Sequence, residues 1–303
     1  MVEKHWREIK EVTGNGAVGT ISFRLPIDQR AHAVRFLVNK GSTDTLAATL
    51  AAITGIRAKV GTDVKINFEN TTGSTGAQKL HDYLLLNGTG YAFTGTPTAS
   101  GANNGVKMYL PFAEPWFLAS VADSLAWNPQ RLGGEITIEL DVNVACTVTP
   151  SVQVSNDIKA PSSGFISIET ISPIAAGTKY VFSKELEARG RLLQMSIYPD
   201  GGGSNAANKV TVFRGSTNIP LHEGVFADSN QQELLSNGMS STASGRSTTS
   251  PAIYDVVSVK GDALSHSWDM SPGLKVQVEA LSAMSGVQPI VVARIERNKK
   301  GDL

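Results

Sequence analysis

The glycine-rich run near the N-terminus has the spacing of a phosphate-binding loop. Gly14, Gly16 and Gly19 fit the pattern G-x-G-x-x-G. A dinucleotide-binding loop of this kind needs a strand before it and a helix after it, because the N-terminus of the helix holds the pyrophosphate. Here the residues that follow, 21–25, alternate apolar and polar like a strand, and Pro26 ends them. The run therefore predicts a turn that leads into a strand.

The histidines do not have the spacing of a metal site. None of the five belongs to a His-x-His, His-x-x-x-His or His-Glu-x-x-His pattern, which would supply the local ligand pair of a zinc or cupin-type site. The five are His5, His32, His81, His222 and His266. His81–Asp82 and His222–Glu223 are merely adjacent, and adjacency does not create the spatial contacts of a catalytic dyad. We therefore expect no metal, no cofactor and no enzyme activity.

Cys146 is the single cysteine, which excludes a disulfide framework. It lies among Val142, Val144 and Val148, and this setting predicts a small buried side chain, not a nucleophile. The lone cysteine indicates synthesis in a reducing cytoplasm. The N-terminus mixes both signs of charge and has no apolar segment, so we expect no signal peptide.

The charge of the chain is balanced, with 27 basic and 27 acidic residues among 303. A balanced chain lacks the excess positive charge that steers a protein to nucleic acid. We therefore expect no sequence-specific binding to nucleic acid. The basic residues cluster only at the C-terminus, as Arg294, Arg297, Lys299 and Lys300.

Alternation of apolar and polar residues dominates the chain and predicts half-buried antiparallel strands. The residues that this pattern predicts to be buried are Phe23, Leu25, Ile66, Phe68, Ile136, Ile138, Val210 and Val212. Runs rich in Gly, Ser and Thr predict long loops at 89–105 and 238–250. Three short segments, 77–86, 115–121 and 228–236, predict helices. Few helices among many strands favour a β-sandwich over alternating β-α-β units.

The two halves of the chain repeat one order of elements, which indicates a duplication. The strand before a helix in the first half, 64–68, corresponds to 210–213 in the second half. The strand after that helix, 106–110, corresponds to 253–257. The join falls near 145–163, where Pro150 interrupts the pattern. The predicted division is an N-terminal segment at 1–17, a first domain at 18–150, a linker at 151–163, a second domain at 164–297 and a tail at 298–303.

This order of elements in about 300 residues resembles the double jelly-roll major capsid proteins of internal-membrane icosahedral bacteriophages, of the corticovirus and finnlakevirus type. The stretch Leu-Pro-Ile-Asp-Gln at 25–29, followed by the strand at 34–38, is similar to the start of the first jelly roll there. Residues 192–197 and 209–215 resemble the opening strands of the second. The resemblance implies an all-β fold of two tandem eight-stranded antiparallel jelly rolls, each with a short helix after a mid-domain strand.

The resemblance also implies a structural role. The chain would be a major capsid protein that forms a homotrimer with a pseudo-hexagonal outline. With neighbouring trimers and a vertex (penton) protein, it would build an icosahedral virion shell over an internal lipid membrane. The protein would be made in the host cytoplasm and located in the virion capsid, with the long loops outside and the termini inside.

The two termini are then candidates for contact with the membrane. Residues 1–13 place Val2, Trp6 and Ile9 on one side of a helix, which predicts a short amphipathic helix on the inner face. Trp6 would lie at the headgroup level, and a basic tail would lie near anionic phosphates. The residues of that tail are Arg297, Lys299 and Lys300. The alternative is that both ends are simply solvated.

Two other classes of function fit an all-β chain. A carbohydrate-binding protein with two β-sandwiches would use exposed aromatic side chains, for which Trp116, Trp127 and Trp268 are candidates, although these residues also suit packing at sandwich corners. A two-domain β enzyme would be a bicupin or a polysaccharide hydrolase. The bicupin lacks its metal-histidine spacing, and the paired carboxylates of the hydrolase cannot be recognised from the sequence.

Overall fold

The computed structural model describes residues 3–40, 46–71, 74–87, 105–113, 123–198, 207–215, 219–225, 252–255, 267–287 and 289–297. The chain forms two compact units, and the main boundary between them lies between Ile168 and Glu169. The predicted helices at 115–121 and 228–236 and the predicted loop at 238–250 lie outside the described residues, as does nearly all of the loop at 89–105.

The first unit contains eight strands and three helices in the described part of the chain. In order they are β1 (His5–Glu8), β2 (Gly19–Arg24), β3 (Arg30–Asn39), α1 (Leu46–Ala52), β4 (Ile53–Val60), β5 (Asp63–Phe68), α2 (Gly76–Asn87), β6 (Val106–Pro111), α3 (Pro129–Leu132), β7 (Ile136–Val142) and β8 (Thr147–Ser155). Strands β1-β8-β3-β6 form one antiparallel sheet, sheet 1. Strands β2-β7-β4-β5 form a second, sheet 2.

The second unit repeats this arrangement. Its strands are β9 (Phe165–Ile171), which begins before the division, β10 (Ile174–Leu186), β11 (Arg191–Ile197), β12 (Ala207–Arg214), β13 (Pro220–Val225), β14 (Ala252–Asp255), β15 (Trp268–Asp269), β16 (Leu274–Val287) and β17 (Ile290–Glu296). Strands β9-β17-β11-β14 form sheet 3, and β10-β16-β12-β13 form sheet 4. Sheet 3 therefore has the winding order of sheet 1, and sheet 4 has that of sheet 2. The short β15 is an addition that pairs with β11.

Period-two alternation places the apolar side chains between the two sheets of each unit. All eight residues predicted to be buried are at most 8% exposed. In the second unit, Val210 and Val212 of sheet 4 pack in one cluster with Met195, Ile197 and Val292 of sheet 3. The predicted register of these strands is therefore confirmed.

Local features at both ends of strands agree with the sequence. Gly14 and Gly16 have φ of 75° and 82°, in a turn that leads into β2, so the glycine-rich run is a turn as predicted. The predicted helix at 77–86 is α2, and Cys146 is buried. A Cβ on Gly14 would lie 2.3 Å from the carbonyl oxygen of Thr20, so only glycine fits there.

The predicted division of the chain needs two corrections. The jelly-roll strands begin at β1, within the segment at 1–17, because residues 5–8 pair with the second half of β8. Residues 151–155 are that second half and not a linker. Pro150 is compatible with a strand. Its carbonyl accepts the N–H of Ile9, just beyond the end of β1, so the proline nitrogen points to the side on which β1 no longer pairs with β8.

The equivalence between strands of the two halves that was inferred from the duplication is correct for the strand after the helix and wrong for the strand before it. Residues 106–110 belong to β6 and Ile253 belongs to β14, which hold the same position in sheets 1 and 3. Residues 64–68 belong to β5, whereas 210–213 belong to β12, the equivalent of β4. The segments at 192–197 and 209–215, which the resemblance predicts to be the opening strands of the second jelly roll, belong to β11 and β12. They are therefore also displaced by one strand. Every half-buried strand has the same alternation, so the pattern does not specify a position in the sandwich.

Candidate functional site

A concentrated cluster of polar side chains in the first unit lies where β3 begins and β8 ends. Arg30, 1% exposed, donates from Nη1 to Oδ2 of Asp157 at 2.7 Å and from Nη2 to the backbone oxygen of Asp123. His32 lies two residues further along β3, with Nε2 2.8 Å from Oγ of Ser155 and Nδ1 3.5 Å from Oδ1 of Asp123. Lys4 also pairs with Asp123, so this cluster ties the start of β1 to the sheet.

The serine, histidine and aspartate of this cluster have the connectivity of a hydrolytic triad but not its proton arrangement. Ser155 donates its hydroxyl proton to Asp157, so its oxygen accepts from Nε2–H of His32. A serine nucleophile requires the reverse, with Nε2 taking the serine proton. Ser155 is 0% exposed and His32 is 3% exposed, so a substrate cannot reach either group. The arrangement holds the sheet edge together and does not activate a nucleophile.

The electrostatics of the cluster keep His32 neutral. Burial is the main cause that lowers the pKa of His32 from 6.5 to about 4, and the charge of Lys4 lowers it further against the opposing charge of Asp123. Burial would raise the pKa of Asp157, but the hydrogen bond from Ser155 and the charge of Arg30 hold it below its ordinary value. The imidazole of His32 is therefore neutral at neutral pH, and the carboxylate of Asp157 is ionised.

The corresponding corner of the second unit is built in the same way. Arg191, the first residue of β11 as Arg30 is of β3, donates from Nη2 to the backbone oxygen of Ser267 at 2.6 Å. The next residue of each strand pairs with a tryptophan, Ala31 with Trp127 and Leu192 with Trp268. The duplication is thus visible at the level of single residues.

Each of these tryptophans is followed by a capped turn that leads into the next strand. Oδ1 of Asn128 accepts the N–H of Gln130 at 3.0 Å, and Oδ1 of Asp269 accepts the N–H of Ser271 at 3.0 Å. This hydrogen bond is the main cause that holds the pKa of Asp269 below its ordinary value. Gly133 and Gly273, with φ of 80° and 78°, complete the two turns just before β7 and β16. The Asx residue and the glycine together set the direction in which the strand begins.

A second buried charge lies on β17. Arg294 is 0% exposed, and Nη2 donates to Oε2 of Glu169 at 2.6 Å. Its Nε and Nη1 have no hydrogen-bond partner among the described residues. Burial lowers the pKa of Arg294 despite the charge of Glu169. This pair carries a desolvation cost that a single hydrogen bond does not offset.

The outward face of sheet 2 carries a lattice of ion pairs. Arg57 pairs with Glu139 at 3.0 Å and with Asp141 at 2.6 Å, and Lys59 pairs with Glu139 at 2.6 Å. Burial would raise the pKa of Glu139, but the hydrogen bonds and charges of Lys59 and Arg57 hold it below its ordinary value. These charges satisfy one another on a half-exposed surface.

The outward face of sheet 1 is different in character, and we call it the Trp6 face. It consists of Trp6, Glu8, Arg35, Leu37, Lys107, Tyr109, Thr149, Ser151 and Gln153. The guanidinium carbon of Arg35 lies 4.5 Å from the centroid of the Trp6 ring, and the Tyr109 ring meets Trp6 edge-on at 6.2 Å. The Trp6 side chain nevertheless stays 38% exposed.

The residues predicted to meet the membrane lie in different settings. Trp6 lies in β1, so the predicted amphipathic helix at 1–13 is wrong; pairing with β8 provides backbone hydrogen bonds that a single short helical turn could not match. Arg297 is exposed directly after β17, and Lys299 and Lys300 lie outside the described residues. The Trp6 face and the two corners escaped the sequence analysis because their members are far apart in the chain.

Most of the remaining candidate residues that the structure describes are buried. His81 and Asp82 are buried on α2, and His5 is exposed on β1, while the side chain of His222 and all of His266 lie outside the described part. Trp127 is 0% exposed and stacks on Phe112 at 4.6 Å, so it cannot line a sugar site. Trp268 packs against the core of the second unit, and Trp116 is not among the described residues.

Searches for particular site types within the described residues give no further candidates. No group of three or more histidine, cysteine or acidic side chains is arranged to hold a metal ion in that part of the chain. No described helix is both long enough and apolar enough to cross a membrane.

Comparison with solved structures identifies the architecture. No protein-family model matches the chain, and no curated protein matches its sequence. The major capsid protein P2 from bacteriophage PM2 aligns over 99% of this chain and 100% of its own, with a TM-score of 0.69 and 13% identity. The fold is a double jelly roll.

Two further capsid structures align almost as completely. The STIV major capsid protein covers 97% of both chains with a TM-score of 0.64 and 8% identity. The PBCV-1 virus capsid structure covers 97% of this chain and 94% of its own, with a TM-score of 0.59 and 12% identity. The predicted resemblance to double jelly-roll capsid proteins and the all-β fold class are therefore confirmed, and at these identities the likeness concerns the fold.

Proposed function

We propose that this protein is a major capsid protein that assembles with itself into a virion shell. The observation that carries the proposal is the duplicated eight-stranded fold, which aligns over nearly the whole chain with three capsid structures. Two similar domains in one chain give six near-equivalent domains in a trimer, and a six-sided unit can tile a closed shell. The protein has a structural role in this proposal and is not an enzyme.

The finer features of the proposal come from the same resemblance. The capsomer is a homotrimer with a pseudo-hexagonal outline, which meets neighbouring trimers and a vertex protein in an icosahedral virion. The subunits are made in the host cytoplasm. An internal lipid membrane lies beneath the shell, and the basic residues Arg297, Lys299 and Lys300 face it. Trp6 no longer supports this contact, because Arg35 and Tyr109 hold its ring on a sheet face.

Assembly is tested by measuring the mass of the purified chain. Light scattering should give about three times 32.1 kDa, and negative-stain microscopy should show particles with a six-sided outline. A stable monomer at micromolar concentration, with no particles at higher concentration, would contradict the proposal. A glycan array on the same sample tests the carbohydrate-binding alternative.

The lipid contact is tested separately with vesicles. The unmodified trimer should bind vesicles that contain anionic lipid at low salt, and the triple variant R297A/K299A/K300A should bind them less. Vesicles of neutral lipid provide the control. If the unmodified trimer ignores anionic vesicles at low salt, the basic tail does not face a membrane.

A further inference from the structure

The corner cluster of the first unit places one carboxylate oxygen between two side chains that can each hold a proton. Oδ1 of Asp123 pairs with the ammonium of Lys4 and lies 3.5 Å from Nδ1 of His32. The other ring nitrogen, Nε2, donates to Ser155, so the neutral ring has a lone pair on Nδ1. Nδ1 is buried and has no hydrogen-bond partner among the described residues. A proton on Nδ1 would therefore turn an unfavourable contact with Asp123 into an attraction between opposite charges.

The described elements that pack around His32 contribute two basic and two acidic side chains. These are Lys4 before β1, Arg30 in β3, Asp123 before α3 and Asp157 after β8. The described residues at the end of β6 carry no charge, and the N–H groups of Phe112 and Ala113 donate to the carbonyl of His32. A proton on the ring therefore adds a positive charge that no further acidic group among the described residues balances.

Of the basic side chains in the cluster, Lys4 leaves it at the lowest cost. Arg30 is buried and is held by both Asp157 and the backbone oxygen of Asp123. The Lys4 side chain is partly exposed, so its ammonium can return to water when it loses Asp123. Strand β1, which Lys4 precedes, lies at the edge of sheet 1, and its four residues are all exposed. A short exposed edge strand opens locally at a small cost in free energy.

We propose that protonation of His32 shifts the carboxylate of Asp123 from Lys4 to His32 and releases the start of β1 from sheet 1. Acid then loosens the N-terminal strand while the rest of the first unit stays folded. This switch goes beyond the proposed function and needs no second copy of the chain, because all of its groups lie in one unit. In a virion shell it would free an N-terminal segment at a pH at which the jelly rolls are still intact.

The size of the effect follows from the burial of His32. Burial is the main cause that holds the pKa of His32 at about 4 in the closed cluster, whereas a ring that water reaches through the open strand has its ordinary pKa of 6.5. The open state therefore binds the proton more tightly, and a fall in pH favours it. Between pH 7 and pH 5 the ratio of open to closed β1 should rise by about tenfold to twentyfold.

Native-state hydrogen exchange tests the inference on the unmodified chain. The protection factor of a peptide that covers β1, corrected for the intrinsic exchange rate at each pH, should fall by about tenfold to twentyfold between pH 7 and pH 5. Low concentrations of denaturant should leave this exchange unchanged because a local opening exposes little surface, whereas exchange in β4 and β7 should accelerate. Exchange of β1 that is independent of pH, or that follows denaturant as β4 and β7 do, would overturn the inference.

Three variants assign the effect to the named groups. H32Q should abolish the pH dependence of β1 exchange, while H5Q, which changes an exposed histidine in β1 itself, should keep it. K4Q should lower the protection of β1 already at pH 7 and leave a smaller further fall at pH 5, because the contact that acid breaks is missing. If K4Q leaves the protection of β1 at pH 7 unchanged, the ion pair does not hold the strand and the inference fails. The comparison of β1 with β4 and β7 needs no variant, so it decides the question even if H32Q does not fold.

Discussion

Replacing His32 with glutamine should remove much of the acid sensitivity of the first unit. In the folded chain, burial and the charge of Lys4 lower the pKa of His32 to about 4, whereas the ordinary value is 6.5. Between these two values the unfolded chain binds a proton that the folded chain does not. The contribution of the neutral His32 to the free energy of unfolding is therefore complete above pH 6.5 and is lost as the pH falls toward 4.

The expected size of this loss follows from the two pKa values. Linkage gives about 2 kcal/mol between pH 7 and pH 5, and roughly 3 kcal/mol by pH 4. The first interval is the better one to measure, because Asp157, whose pKa lies below its ordinary 3.8, stays ionised there. A glutamine side chain would keep a donor near Oγ of Ser155 and has no charge to gain. The H32Q variant should therefore lose about 2 kcal/mol less than the unmodified chain over the interval.

Denaturant unfolding is carried out at fixed protein concentration and is monitored by hydrogen exchange of peptides from β3 and β8. These peptides report on the first unit alone. The variant His5→Gln is the matched control, since His5 is exposed on β1 and outside the cluster. It should have the pH dependence of the unmodified chain. If H32Q and the unmodified chain lose stability equally between pH 7 and pH 5, His32 accepts its proton in the folded state and the electrostatic reasoning for the cluster fails.

Three further predictions concern other buried features. R294M should change the thermal midpoint little or raise it. E169A should lower the free energy of unfolding by about 3 kcal/mol, because it leaves a buried guanidinium without a partner. Equal losses of stability in the two variants would contradict this assignment. Gly190→Ala should destabilise the second unit by more than about 2 kcal/mol in chemical unfolding, since its Cβ would lie 2.4 Å from the carbonyl oxygen of Ile295, while Gly273→Ala, at a similar φ in open space, should cost only about 1 kcal/mol. Cys146, 3% exposed, should react with a thiol reagent about a hundredfold or more slowly in the folded chain than in denaturant; rapid labelling would place it at the surface.

The sequence predicts the features of this fold that depend on local alternation and misses those that depend on position. Phe23 and Ile66 are recognisable as core residues because their neighbours in the strand are polar. Strand β1 is only four residues long and exposed at each, so helical and extended spacing describe it equally well. Arg30 and Asp157 are separated by 127 residues, and no pattern in one sequence connects them. The corner cluster could be found only after the register of β3 with β8 was known.

The two jelly rolls retain some features in common and differ in others, and the difference separates folding from assembly. Both keep an arginine at the start of the third strand and a tryptophan paired with the next residue. These groups fix how the long excursion before β7 or β16 returns to the sandwich, so each domain needs them whatever surrounds it. The outward sheet faces carry no such requirement. One has become apolar and small at Val291 and Ala293, and the other keeps Trp6 and Arg35 exposed. The residues that the two domains share are therefore those that each needs in order to fold. The outward faces have diverged because folding of a single domain does not fix their composition.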